Sequence, residues 1–330
     1  MLVSFVIPVR NDPARLRRCF TTIRANTPDN ADVEIVVADN GSTDDTPEVA
    51  RSFGARVLSL PGLSVAALRN RAAAEARGEV LAFVDADHEI DPHWVASAVE
   101  ALASPDVAAV GALCFAPADG TWVQRMYDSF RVRPAGVLQV DWLGSGSLAV
   151  WREVFEKVGG FDSRLETCED VDFCQRLRRH GYGLWSDDRL RSVHLGDPRS
   201  LRALFFGELW RGRDNIKVSL RGPLTLRALP SVLIPLTILL LLTVGVGSLF
   251  ALPGSWKVLA LALAGPLLLT SLRAARMLSR IRRFGPLTMA RAFVVALVYD
   301  ISRALALVVR TPHRVRQTAS LSSRPSGTKA

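Results

Sequence analysis

The chain has 330 residues, of which 49% are hydrophobic and 22% charged, so it can form one large domain or two ordinary ones with a sizeable core. Its net charge of +9 is uneven, because residues 1–198 are net acidic and residues 199–330 are strongly basic. A basic, apolar rear part argues against one uniformly soluble body and indicates nucleic acid or a membrane as partner. The apolar segments described below favour the membrane over nucleic acid.

The cysteines and the N-terminus both bear on the cellular compartment. Cys19, Cys114, Cys168 and Cys174 form no CxxC pair and no metal-ligand spacing, which predicts free thiols in a reducing compartment. The chain opens on an apolar run, with no basic segment or small-residue cleavage site. We therefore predict no signal peptide, and we expect the front part to stay in the cytoplasm.

Short apolar runs alternate with segments of helical periodicity over the first hundred residues. The runs at 3–9, 33–38, 56–59 and 80–84 are typical of strands buried on both faces. Helices are predicted at 13–25, at 64–76 and at 92–103, and a further helix is predicted to begin at Thr46 as its N-cap. A strand near 107–111 and helices at 152–158 and 171–180 are expected further on. This alternation predicts an α/β domain with a mostly parallel sheet and flanking helices.

Polar residues stand where three of the first four predicted strands end. They are Arg10 and Asn11, Asp39 and Asn40, and Asp85 and Asp87. In open sheets of this kind ligands bind at the carboxyl ends of the strands, so we expect one shared site. The two carboxylates of Asp85-Ala86-Asp87 suit a hard divalent cation, Mn²⁺ or Mg²⁺, which would neutralise a diphosphate leaving group.

A second acidic pair, Glu169-Asp170, opens a predicted helix. Asp170 is suited to accept the proton of an attacking acceptor hydroxyl. Acidic residues are also ordinary in the first turn of a helix, because the helix dipole favours them there. Spacing alone leaves the catalytic and the capping interpretations open.

The rear part contains two long uncharged segments. Residues 230–252 are long enough to span a hydrocarbon core, which needs about 20 residues, and residues 258–272 form a shorter second segment. Joined by a tight turn at 253–255, they predict a transmembrane helical hairpin, with a buried soluble hairpin as the alternative. The arginine-rich segment that follows should be cytoplasmic by the positive-inside rule, and so should the front domain. We therefore predict a multi-pass protein of the cell membrane.

The last apolar segment, 288–309, carries Arg291, Asp300 and Arg303. A charge in mid-membrane costs about 2.5–3.5 kcal/mol even on the lenient insertion scale. We therefore favour an amphipathic helix on the inner leaflet over a third span. Arg211 and Arg213 precede the hairpin, and they suit either anionic headgroups or the pyrophosphate of a lipid-linked acceptor.

Six segments of the front part carry a recognisable set of motifs. They are FVIPVRN (5–11), IVVADNGSTD (35–44), ALRN (67–70), AFVDAD (82–87), GGFD (159–162) and EDVD (169–172). In this order they resemble family 2 glycosyltransferases, which are inverting enzymes with the Rossmann-like GT-A fold. The resemblance covers about residues 1–200. It implies transfer of a sugar from a UDP-, GDP- or dTDP-sugar to an acceptor hydroxyl, on a glycan, a glycolipid or polysaccharide precursor, or a lipid-linked acceptor.

The resemblance also implies roles for individual residues. The nucleotide-sugar would be bound by Pro8, Val9, Asn11, Asp39, Arg69, Asp85 and Ala86. Within that set, Asp39 would bind the nucleobase, Arg69 the base or diphosphate, and Asp85 the ribose side. Asp87 would bind the metal, with His194 near the metal or diphosphate. Asp170 would be the base, with Glu169 beside it.

Further residues are assigned to the acceptor or diphosphate side. Gly146 and Ser147 lie where such enzymes shape the acceptor and donor-sugar pocket, and Trp142 is either an acceptor platform or a packed core residue. Cys168 departs from the pattern, because the family usually has a small residue, often glycine, before the Glu-Asp pair.

The predicted organisation has five parts. They are a GT-A catalytic domain (1–200), a basic juxtamembrane linker (201–229), a transmembrane hairpin (230–272), a basic loop with an interfacial or third membrane helix (273–312) and a disordered tail (313–330).

Two other functions stay open. A polyprenyl-phosphate sugar synthase needs no base, because its acceptor phosphate is already ionised, so the Glu169-Asp170 pair argues against it. A non-catalytic nucleotide-binding membrane scaffold would not need the full acidic set.

Overall fold

The computed structural model describes residues 1–28, 32–133, 135–222, 229–251, 256–281 and 285–309. Its strands are β1 (Leu2–Val9), β2 (Asp32–Asp39), β3 (Arg56–Ser59), β4 (Val80–Val84), β5 (His88–Ile90), β6 (Val107–Gly111), β7 (Val137–Gln139), β8 (Ser147–Trp151), β9 (Gly183–Asp187) and β10 (Ser192–His194). Its helices are α1 (Pro13–Ala25), α2 (Thr46–Ser52), α3 (Val65–Glu75), α4 (Trp94–Leu102), α5 (Trp122–Asp128), α6 (Arg152–Lys157), α7 (Glu169–Arg179), α8 (Leu201–Arg211), α9 (Asn215–Ser219), α10 (Leu229–Ala251), α11 (Trp256–Leu278) and α12 (Pro286–Leu305).

Eight strands form one sheet in the order β3-β2-β1-β4-β8-β6-β9-β7. The run from β3 to β4 is parallel, and so is the pair of β6 and β9. β8 lies antiparallel between β4 and β6, and β7 lies antiparallel to β9. The predicted α/β architecture with a mostly parallel sheet is confirmed.

The centre of the sheet is covered on both faces. Every residue of β4 is buried, because α1 and α4 pack on one face of the sheet and α3 and α7 pack on the other. Phe5 and Trp94 pack within the first layer, and Phe83 and Phe173 within the second. A strand fixed on both faces holds the residues that follow it in a defined position, and here those residues are Asp85 and Asp87.

Some predicted elements differ in detail from the structure. Thr46 is the first residue of α2 and Asp45 its N-cap, because Thr46 donates its hydroxyl to Asp44 rather than capping the helix. The segment expected to be a juxtamembrane linker contains two helices, α8 and α9, since Leu204 and Leu209 of α8 are buried. The predicted turn at 253–255 and the predicted tail at 313–330 lie outside the described residues.

The rear helices form a second layered unit beside the sheet domain. α10 and α11 are long and apolar enough to cross a membrane by length and composition, and they expose large side chains such as Phe250 and Leu261. α12 packs against α8, α10 and α11. Its Asp300 accepts hydrogen bonds from Arg273 Nε at 2.7 Å and from the Thr270 hydroxyl at 3.0 Å. The one acidic residue of α12 is therefore paired with groups of the neighbouring helix α11.

Candidate active site

The carboxyl ends of β1 and β2 are tied together through the loops that follow them. The N–H of Asn11 donates to Ser42 Oγ at 2.9 Å, and the N–H of Thr43 donates to Asn11 Oδ1 at 2.8 Å. Asp39 is buried and accepts from the N–H of Ser42. Asn11 and Asp39 thus lie at one edge of the sheet, where the nucleoside is expected, and their contacts with it stay predictions.

Arg69 joins two carboxylates from distant parts of the chain. It lies on α3 and is 3% exposed. It donates to Asp85 Oδ1 at 2.6 Å and to Glu169 Oε1 at 2.7 Å. Because Asp85 follows β4 and Glu169 begins α7, Arg69 fixes the predicted donor residue against the predicted catalytic pair. Its predicted contact with a nucleobase or diphosphate stays a prediction.

Asp170 lies in the first turn of α7, beside an exposed aromatic ring. Cys168 before it has φ 61°, in the left-handed region that favours glycine, which accounts for the small residue that is usual there. A methyl group on Gly144 would lie 4.0 Å from Asp170 Oδ2 and 3.6 Å from the Trp142 ring. Trp142 is 45% exposed, so it is not a packed core residue, and it borders the same space as the Asp170 carboxylate.

Two effects raise the pKa of Asp170. Burial disfavours its charge and repulsion from Glu169 adds to this, so the pKa of Asp170 rises to about 7 although Arg69 opposes the shift. General bases work best when their pKa lies near the operating pH. Asp170 therefore has the protonation behaviour that a base at neutral pH requires.

Asp87 and His194 form the corner expected to hold a metal. His194 Nε2 lies 3.3 Å from Asp87 Oδ2, and the Arg15 guanidinium lies 3.7 Å from the same oxygen. Asp85, Asp87 and His88 each offer one ligand atom within 4.8 Å of the others. Carboxylate oxygens suit Mg²⁺ and Mn²⁺, and an added imidazole favours the transition metal. The residues present therefore fit a divalent cation.

The protonation states of the side chains in this corner are also compatible with a bound cation. Burial lowers the pKa of His88 to about 4, so its imidazole is neutral. Burial alone would lower the pKa of His194 too, but the Asp87 charge and the hydrogen bonds to Asp197 and Asp87 raise it to about 10. Burial opposes ionisation of Asp87 as well, yet the charge of His194 holds the pKa of Asp87 well below its usual range. A divalent cation would take the place of the His194 proton.

Gly146 and Ser147 lie beside the donor-side carboxylate. A methyl group on Gly146 would lie 2.9 Å from Asp85 Oδ2, so the backbone passes close to that side chain. Ser147 is buried, and its hydroxyl accepts from the indole N–H of Trp94 at 3.0 Å. Its predicted contact with an acceptor stays a prediction. Three other predicted donor-side residues stand at or just beyond the ends of β1 and β4, namely Pro8, Val9 and Ala86.

Arg211 and Arg213 each pair with a carboxylate of the same chain. Arg211 donates to Glu208 Oε1 at 2.8 Å, and the same carboxylate oxygen accepts from the Tyr127 hydroxyl at 2.7 Å. Arg213 pairs with Glu166. Because Glu166 lies three residues before Glu169, the Arg213 contact brings the start of the rear unit against the loop that leads into α7.

Sequence reasoning missed Arg15, His88, Asp197 and Gly196. Two of them lie close in sequence to the predicted metal ligands, and this spacing could have indicated them. His88 directly follows Asp87, and Asp197 follows His194 by three residues. A methyl group on Gly196 would lie 1.8 Å from Asp87 Oδ2 and 2.8 Å from His194 Nε2, so this position requires the absence of a side chain. Nothing in the sequence around Arg15 marks it.

Comparison with known proteins places the chain in a family. The family model for Glycosyl transferase family 2 matches residues 4–180, more than half of the chain. Glycosyltransferase AglE of Haloferax volcanii is 28% identical over 239 residues, 68% of this chain and 76% of that one. Validoxylamine A glucosyltransferase of Streptomyces hygroscopicus subsp. limoneus is 30% identical over 223 residues, which are 54% of this chain but only 48% of that one.

A solved structure is similar over most of the chain. The mannosyltransferase PcManGT from Pyrobaculum calidifontis has a TM-score of 0.59 at 21% identity, over 89% of this chain and 85% of that one. The fold is therefore that of a GT-A-type glycosyltransferase domain. The chain belongs to glycosyl transferase family 2, and it is a glycosyltransferase.

The close approach of Gly196 to the metal corner gives a first prediction. Gly196→Ala should displace the carboxylate of Asp87 and the ring of His194, and weaken Mn²⁺ binding by about 10-fold or more, because ligand geometry is disturbed directly. Calorimetric titration with Mn²⁺ would measure this. Gly285→Ala is the control, since a methyl group there meets nothing within 4 Å and should leave the affinity unchanged. Unchanged affinity in Gly196→Ala would place the metal elsewhere.

The raised pKa of Asp170 gives a second prediction. A base works only when deprotonated, so kcat/KM should fall as the pH drops below about 7. Glu169→Gln removes the charge that helps to raise this pKa. The acid limb of the pH profile of kcat/KM should therefore move to lower pH in this variant. Glu156→Gln, an exposed position, should leave the limb in place. An acid limb that stays fixed in Glu169→Gln would contradict the coupling of the two carboxylates.

Proposed function

We propose that this protein is an inverting, membrane-bound glycosyltransferase that moves a sugar from a nucleotide-sugar to an acceptor hydroxyl. The observation that carries the proposal is the bridge from Asp85 through Arg69 to Glu169. It holds the strand end that carries Asp85 against the first turn of α7, where Asp170 lies. The exposed ring of Trp142 lies beside Asp170, which supports an acceptor platform. A glycan or a lipid-linked sugar would be the acceptor, and a UDP-, GDP- or dTDP-sugar the donor.

The residues of the chain account for the reaction as follows. The acceptor oxygen attacks the anomeric carbon, while the bond from that carbon to the donor phosphate breaks on the opposite side. Asp170 takes the proton of the acceptor hydroxyl, and the electron pair of the broken bond leaves with the nucleoside diphosphate. In this mechanism Asp170 forms no covalent bond to the sugar. The reaction is a single displacement at the anomeric carbon, and it therefore inverts the anomeric configuration.

A divalent cation completes the proposal. Asp87 and His194 would hold Mn²⁺ or Mg²⁺, with Asp85 and His88 nearby, and the cation would neutralise charge on the departing diphosphate. The structure of PcManGT is described with GDP-Man and Mn²⁺. We carry over only the chemical classes, a nucleotide-sugar and a divalent cation, to this chain.

The rear helices support the proposal that the catalytic domain lies at the cytoplasmic face of the cell membrane. We propose that α10 and α11 cross the bilayer as a hairpin and that α12 lies at its surface. Arg291 of α12 lies over the Trp122 ring, and Arg303 lies 3.7 Å from Glu208. Both partners belong to parts of the chain outside the hairpin, which favours the surface position over a third span. A site next to the membrane suits a lipid-linked acceptor.

Removal of the base gives a third prediction. Asp170→Asn keeps the side-chain shape but cannot accept the proton, so transfer should fall by about 100-fold or more. Donor and Mn²⁺ binding should stay near wild type, because Asp170 contacts neither in the proposed arrangement. Transfer of radiolabelled sugar under saturating substrates would measure the loss. Full activity in Asp170→Asn would refute the proposed mechanism, and it would favour the polyprenyl-phosphate sugar synthase, whose acceptor needs no base.

The proposed topology gives a fourth prediction. A membrane-impermeant maleimide should label Lys257→Cys, at the start of α11, on intact cells. It should label Ser279→Cys, just beyond the other end of that helix, only after the cells are permeabilised. The unsubstituted protein measures the background from the four native thiols, which form no disulfides. Labelling of Ser279→Cys on intact cells would reverse the orientation and exclude a cytoplasmic catalytic domain.

A further inference from the structure

The backbone of His194 is fixed independently of its side chain. Its N–H donates to the carbonyl of Phe115 at 2.8 Å, and the N–H of Leu195 donates to the carbonyl of Asp87 at 2.8 Å. β10 also pairs antiparallel with β5, which places His194 opposite His88. With the backbone held on both sides, only the side-chain torsions of His194 decide which ring nitrogen faces Asp87.

A buried carboxylate sets those torsions. Asp197 Oδ1 lies 2.7 Å from His194 Nδ1, while His194 Nε2 points to Asp87 Oδ2 at 3.3 Å. The Asp197 side chain is 0% exposed. Arg131 donates to Asp197 through both terminal nitrogens, one of them to Oδ2 at 2.7 Å. Gln124 Nε2 donates to the backbone carbonyl of Asp197 at 3.2 Å.

The contacts of Asp197 exceed what a packing role would need. A carboxylate without exposed surface is costly to bury unless it is paired, and Arg131 alone supplies a bidentate pair. The second contact, to His194 Nδ1, leaves Nε2 as the ring nitrogen that faces the metal corner. Burial and pairing from two directions restrict Asp197 to one position, and therefore restrict the ring of His194 as well.

We propose that Asp197 is a positioning residue, which holds His194 Nε2 toward the divalent cation at Asp87, and that Arg131 holds Asp197 in place. This inference rests on the metal site of the proposed function and deepens it. A carboxylate on the second nitrogen of a metal-binding imidazole fixes the orientation of the ring and strengthens it as a ligand. Loss of such a partner typically weakens metal binding about 10- to 100-fold.

The test measures Mn²⁺ binding to the full-length protein in detergent, without donor or acceptor. Calorimetry or the electron paramagnetic resonance signal of free Mn²⁺ gives the affinity directly. Asp197→Asn should weaken binding about 10- to 100-fold, because it keeps the shape but removes the charge. Asp187→Asn is the matched control, since Asp187 is also 0% exposed and paired with an arginine, Arg189, but has no contact with His194. It should leave the affinity unchanged.

A double-variant cycle separates positioning from general destabilisation. In a His194→Ala background, Asp197→Asn should cause no further loss of affinity, because Asp197 acts through the ring that is already absent. Arg131→Gln serves as a second variant if Asp197→Asn folds poorly, and it should also weaken Mn²⁺ binding. Equal affinities of Asp197→Asn and Asp187→Asn, or additive losses in the cycle, would overturn the inference and leave the proposed function intact. Failure of the unsubstituted protein to bind Mn²⁺ would overturn both this inference and the metal-dependent part of the proposed function.

Discussion

The guanidinium of Arg69 lies buried between two carboxylates that are 16 and 100 residues away in the sequence. Removing one member of such a buried arrangement leaves an uncompensated charge, which typically costs about 3–5 kcal/mol. Arg69 therefore does more than neutralise Asp85 and Glu169, because it fixes the end of β4 against the start of α7. The position of Asp170 relative to Asp85 depends on this bridge.

The candidate site is also joined to the rear helices by specific contacts. Arg280, just beyond the end of α11, donates to the carbonyls of Ser129 at 2.8 Å and Phe130 at 3.2 Å. These residues directly precede Arg131, which binds Asp197. Arg213, which follows α8, pairs with Glu166 on the loop before α7. The proposed membrane unit is thus attached to the segment that carries Arg131 and to the loop before α7, which suits an acceptor delivered from the bilayer.

The parts of the fold predicted from the sequence are those set by local patterns. β1, β2, β3 and β4 lie where the apolar runs predicted them, and α1 and α3 lie where the helical periodicity predicted them. The polar strand ends could be grouped into one site because parallel strands bring their carboxyl ends to one edge. The antiparallel insertion of β8 between β4 and β6 could not be predicted, because it depends on pairing over long sequence separations. The same limit applies to Arg69, for which the family resemblance implied a ligand contact but not its two protein partners.

The central claim is that one site at the carboxyl ends of the strands binds a nucleotide-sugar together with a divalent cation at Asp87. It is tested most directly by nucleotide release from UDP-, GDP- and dTDP-sugars by the purified full-length protein in lipid nanodiscs, with Mn²⁺ and with EDTA. The account predicts release from one donor class that requires Mn²⁺ and is lost in Asp87→Asn. Release that continues in EDTA, or that persists in Asp87→Asn, would contradict it.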